Sequence, residues 1–134
     1  MRKVFFPLFL LFTLSGCLER EIYTEIAETS AISHPPKSVK IEDSSDMLKT
    51  SFKTDPSSPI TMSVYIHCAK CTNAQSRSLG ADFDGYIRLT LSENNRTLAR
   101  AQMDYKGEAT QEEVTQVFEH LMEILQWEDT LRKN

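Results

Sequence analysis

The chain has 134 residues, with 19 Asp and Glu against 15 Lys and Arg, for a formal net charge of −4. That length suits one small domain with an extension. The acidic balance, with no basic cluster after the first residues, argues against a phosphate-binding surface built on Lys and Arg, so nucleic acid is not an expected partner.

In chain order, Arg2 and Lys3 come first, and Val4 to Leu14 is an apolar run interrupted only by Pro7 and Thr13. Ser15 and Gly16 are small, and Cys17 follows. A basic head, a short apolar segment and small residues make a secretory leader over residues 1–16. The run is shorter than the ~20 residues a membrane span needs. Leu14-Ser15-Gly16-Cys17 resembles the lipobox of bacterial lipoproteins. The resemblance implies cleavage before Cys17, a diacylglyceryl group on its thiol, and a further acyl chain such as palmitate on its new amino group. Two or three chains, at ~0.8 kcal/mol per buried methylene, hold a protein on a bilayer where one is marginal. The family pattern reads an aspartate after the cysteine as inner-membrane retention. Leu18 stands there, so the resemblance implies an outer membrane facing the periplasm. Cleavage removes two of the Lys and Arg and none of the acids, leaving a still more acidic mature chain.

Residues 17–59 read as a lipidated N-terminus and polar tether. Glu19 to Ile32 is a short helix candidate with Ile22 and Ile26 on one side. His34-Pro35-Pro36 ends any helix. Ser38 to Glu42 alternates as a short edge strand, and Asp46 to Lys53 is a helical turn or another strand. Asp55-Pro56-Ser57-Ser58-Pro59 is a turn or linker.

The folded domain is expected over residues 60–134. Ile60 to Cys68 shows strict period two and predicts a half-buried strand. Asp82, Asp84 and Gly85 faintly resemble a calcium loop, but its closing glutamate and repeating acids are absent. They read as a turn. Tyr86–Leu91 and Thr97–Tyr105 are two further strands. Parity sets their connection, because opposed residues share a face. Leu91 with Ala99, Leu89 with Ala101 and Ile87 with Met103 requires a three-residue loop over 94–96, or an equivalent bulge, with an Asn left-handed. The Asn95-Arg96-Thr97 sequon reads as turn. Thr110 and Glu113 form a capping box. Val114, Val117, Phe118, Leu121 and Leu125 then make an apolar helical stripe, widened by Met122, Ile124 and Trp127. The helix is expected to run to about Trp127 or beyond, with the stripe on the sheet. The expected fold is α+β: a small antiparallel sheet of about three strands, with this C-terminal amphipathic helix packed on one face.

Cys68-Ala69-Lys70-Cys71 is the reactive cluster. With Cys17 consumed by lipid, Cys68 and Cys71 form an even pair in an oxidising compartment, which favours a local disulfide. Strand, Cys-x-x-Cys and a possible helix also resemble the thioredoxin active site. That resemblance implies Cys68 as nucleophile, Cys71 as resolving thiol, and Lys70 lowering the sulfur pKa. All five prolines precede the motif, so that family's proline loop is missing. A zinc half-site is the third reading, but no second cysteine pair exists and His34, His67 and His120 lack ligand spacing. No metal or other cofactor is expected. Strand, hairpin and helix resemble accessory domains of outer-membrane assembly and secretion lipoproteins. That resemblance implies a non-enzymatic binding or assembly role with an envelope protein partner. The alternative is a thiol–disulfide oxidoreductase.

Overall fold

Period-two alternation forms the middle of the sheet where it is expected. In the computed structural model, which describes residues 20–29, 34–50, 52–72 and 83–128, strand β3 covers Ile60–Cys68. Strands β4 (Gly85–Glu93) and β5 (Arg96–Tyr105) follow, all three antiparallel neighbours. The leader, the lipobox and Cys17 lie outside the described residues, as do Asp82 and the side chain of Lys70.

The sheet has five strands, not three. The order is β1-β5-β4-β3-β2, with β1 at Ile22–Ile26 and β2 at Lys40–Asp43. Both edge strands come from the stretch read as tether. Residues 22–26 were expected in a helix, but Ile22, Thr24 and Ile26 alternate inward with Tyr23 and Glu25 outward, and β1 pairs antiparallel with β5. The edge strand expected at 38–42 is present as β2. It pairs parallel with β3, so the sheet is mixed and not purely antiparallel. Parallel neighbours need a long crossover. Here residues 44–59 supply it, and they carry Leu48 into the core and Phe52 to 5.0 Å from the Phe118 ring. Asp43 shapes the start of that crossover. Its carboxylate accepts the Leu48 N–H at 2.7 Å, the Ser45 N–H at 2.9 Å and the Ser45 hydroxyl. Partial burial alone would raise the Asp43 carboxyl, but these bonds outweigh it and hold the pKa below the ordinary 3.8.

The β4–β5 register matches expectation: Leu91 opposes Ala99, Leu89 opposes Ala101 and Ile87 opposes Met103. The device is a two-residue turn plus a bulge. Asn94 and Asn95 are both left-handed, with φ of 48° and 65°, which suits a tight hairpin. Ser92 then opposes Thr97 while Leu91 opposes Ala99, so Leu98 is the extra residue that restores the faces. Leu98 is buried beside Ala99, and its carbonyl accepts the Ala27 and Glu28 N–H groups at 2.8 and 3.1 Å.

One turn of helix, α1 (Ala69–Thr72), follows β3, and the long helix α2 covers Gln111–Leu125. The capping box forms as read: Glu113 N–H donates to the Thr110 hydroxyl at 3.2 Å, and Thr110 N–H donates to the Glu113 carboxylate at 3.0 Å. Val114, Val117, Phe118, Leu121, Met122 and Leu125 bury the stripe against one sheet face. Burial at ~1.5–3 kcal/mol per large side chain makes this layer the main favourable term. The helix stops short of Trp127. Gln126 turns left-handed at φ 58°, its N–H donates to Glu123 O and the Trp127 N–H donates to Met122 O, both at 3.1 Å. That end geometry reverses the chain and tucks Trp127 into the core.

Candidate functional site

The Cys68–Cys71 pair forms a disulfide, joining the last residue of β3 to α1 with the Cα atoms 5.3 Å apart. The ring is small, so its loop-entropy contribution is about 2 kcal/mol. Backbone bonds hold its base. Ala69 N–H donates to Asp84 O at 2.9 Å, and Asp84 N–H donates to Tyr105 O at 2.9 Å. The Asp84 carboxylate accepts the Gly107 N–H at 2.7 Å. Gly85 opposes both Cys68 and Tyr105, and Tyr105 reaches past it to donate its hydroxyl to His67 O at 2.8 Å. Burial, with Asp84, Glu113 and Glu108 nearby, pushes the Tyr105 pKa above 10. Cys71 is exposed and Cys68 half-buried. His67 points to the other face from Cys68, by strand alternation.

That other face of the sheet carries a set of aromatic and cationic side chains. Strand pairing builds three cross-strand rows. Tyr65, Arg88, Gln102 and Tyr23 oppose one another in sequence across β3, β4, β5 and β1. His67, Tyr86 and Asp104 form the row on one side, and Ser63, Thr90, Arg100 and Glu25 the row on the other. The His67 and Tyr86 rings stack at 4.9 Å, and Tyr65 lies 6.0 Å from Tyr86. The Arg88 guanidinium sits 4.8 Å above the Tyr86 ring and donates twice to the Gln102 amide oxygen, at 2.9 and 2.7 Å. A cation over a ring face and held by a neutral acceptor is oriented without being neutralised. Arg100 differs, since it is paired with Glu25. Tyr23, Glu25, Arg88, Arg100 and Gln102 line a depression of about 250 Å³. Tyr23 and Tyr65 are 56% and 53% exposed at its flanks. The Tyr23 hydroxyl donates to Glu21, and that bond raises its pKa above 10.

A second, larger groove of about 940 Å³ runs along the polar side of α2, lined by Glu112, Glu119, Glu123 and His120. Arg20 spans it to Glu113. Among the described residues, no group of three or more His, Cys, Asp or Glu is placed to hold a metal ion. No described helix is long and apolar enough to cross a membrane.

The sequence-derived pair Cys68 and Cys71 is thus brought together, whereas His67 and His120 sit on different elements. The row through Arg88 escaped sequence reasoning. Its signal was partly present, because Tyr65 and His67 alternate outward on β3 and Tyr86 and Arg88 on β4. Joining them to Tyr23 requires β1 and its register. Comparison of the chain with family models, with curated proteins and with solved structures finds no match.

Proposed function

We propose that this is a lipid-anchored protein of the bacterial cell envelope that binds or assembles a protein partner in the periplasm, through the face of its sheet left uncovered among the described residues. The anchor rests on the lipobox and Cys17. The observation that carries the binding role is the exposure of Tyr65 and Tyr23 on either side of an oriented Arg88, on a rigid sheet. Tyr and Arg are the side chains that most often dominate protein interfaces, and strands hold them at low entropic cost. The cystine fits a structural role. An attacking nucleophile at Cys68 would be the more exposed sulfur, and here Cys71 is the exposed residue.

The test is made in cells. A photoreactive residue at position 65 should give a discrete protein adduct, and the same residue at Lys49, on the far loop, should not. Cys17→Ser should abolish lipid labelling and reduce the adduct. Replacing both Cys68 and Cys71 with Ser should leave the adduct in place. Failure to form any adduct from position 65 would remove the binding role, and loss of the adduct with the cysteines would restore the redox reading.

A further inference from the structure

We propose that the partner engages the uncovered face with an acidic peptide segment, seating a carboxylate on Arg88 between apolar or aromatic side chains that pack on Tyr65 and Tyr23. This deepens the binding role above and rests on it. Charge complementarity carries the choice. The chain as a whole is acidic, at −4, yet the depression beside Arg88 holds two guanidinium groups and one carboxylate, Glu25, while Asp104 stands in the adjoining row and Glu21 accepts from the Tyr23 hydroxyl. Glu25 is already paired with Arg100. Arg88, on the central strand, is held among the described residues by a neutral amide and a ring. It therefore presents a guanidinium with no ion-pair partner among the described residues and with its plane already fixed, which matches a carboxylate fork.

Charge selects a segment over a second copy of the chain. Two identical faces related by a twofold axis through the middle of the sheet would bring Arg88, on the central strand, towards the Arg88 of the second copy, and like charges there repel. A segment crossing the strands meets no such opposition. Tyr65 and Tyr23 are three strands apart, about 14 Å. An extended peptide covers that in four or five residues at ~3.3 Å each. The expected pattern is an acidic residue with a ring or branched apolar residue one or two positions to one side and about three to the other.

Full-length protein in detergent is the bait, and a displayed library of random peptides is the probe, with an N-acetylglucosamine trimer as a glycan control. The enriched peptides should carry Asp or Glu between apolar or aromatic residues. Arg88→Gln should weaken them by about tenfold or more. Tyr65→Ser, at a position 53% exposed, should weaken them severalfold while the urea unfolding curve of the variant shows it folded. Enrichment of peptides without an acid, no enrichment, binding unchanged in Arg88→Gln, or preference for the trimer would each overturn the proposal. An adduct from position 65 that persists at full yield in Arg88→Gln would overturn acidic recognition while leaving the binding role intact.

Discussion

Gly85→Ala tests the junction where the cystine, β4 and Tyr105 meet. A methyl group at Gly85 would stand 1.9 Å from His67 O, 2.5 Å from the Tyr105 hydroxyl and 2.7 Å from its Cζ. The carbonyl cannot retreat without parting β3 from β4 beside Cys68, and the Tyr105 ring cannot retreat because it is 2% exposed. Overpacking of this kind costs about 1–3 kcal/mol. Losing the bond from Tyr105 to His67 O adds about 0.5–1.5 kcal/mol. The stiffer unfolded chain returns about 0.4–1 kcal/mol. A net loss of about 2.5 kcal/mol lowers Tm by roughly 10–20 °C for a domain of this size. Urea and thermal unfolding of the full chain measure it directly. Tyr105→Phe, which removes only the hydroxyl, should cost about 1 kcal/mol. The Gly85 variant should also expose its cystine to dithiothreitol faster than the native chain. A Gly85→Ala protein within about 0.5 kcal/mol of native, the range of ordinary surface changes, would refute the packing argument.

Three further outcomes follow from single residues. Gln126→Gly should raise stability by about 1 kcal/mol in thermal melts, because Gln126 is left-handed and a glycine adopts that conformation without a Cβ penalty. Thr24→Val should be neutral or stabilising by up to about 1 kcal/mol in urea, since the Thr24 hydroxyl is buried on the covered face without a hydrogen-bond partner among the described residues. Asp43→Ala should cost about 1 kcal/mol at neutral pH, the low end for a carboxylate bonded to N–H groups because it is part-exposed. Its lowered pKa gives the sign of the pH dependence: the Asp43 contribution is present above the ordinary value of 3.8 and is lost as pH falls through the lower folded value. Unfolding curves of the native and Asp43→Ala proteins should therefore converge in acid, and a constant gap between pH 7 and pH 2 would refute that assignment.

Local pattern determined the three central strands and the helix start. Ile60–Cys68 alternates over nine residues, which no helix tolerates, and Thr110 with Glu113 satisfies its own N–H groups without help from the rest of the chain. The β4–β5 register followed from parity, because a one-residue slip would turn Leu89 and Leu91 outward. The bonded pair Cys68 and Cys71 was also legible, since the expected export and the lipidation expected at Cys17 left them each other. The tertiary structure alone decided the edges and ends. Strands β1 and β2 are five and four residues long, too short for alternation to outweigh their polar composition, and they exist because β5 and β3 offer unpaired edges. Gln126 turns left-handed against its own preference because burial of Trp127 outweighs the local cost. The Tyr65–Arg88–Gln102–Tyr23 row is the furthest from sequence. Its four residues stand on four strands, and only hydrogen-bonded register brings them into line.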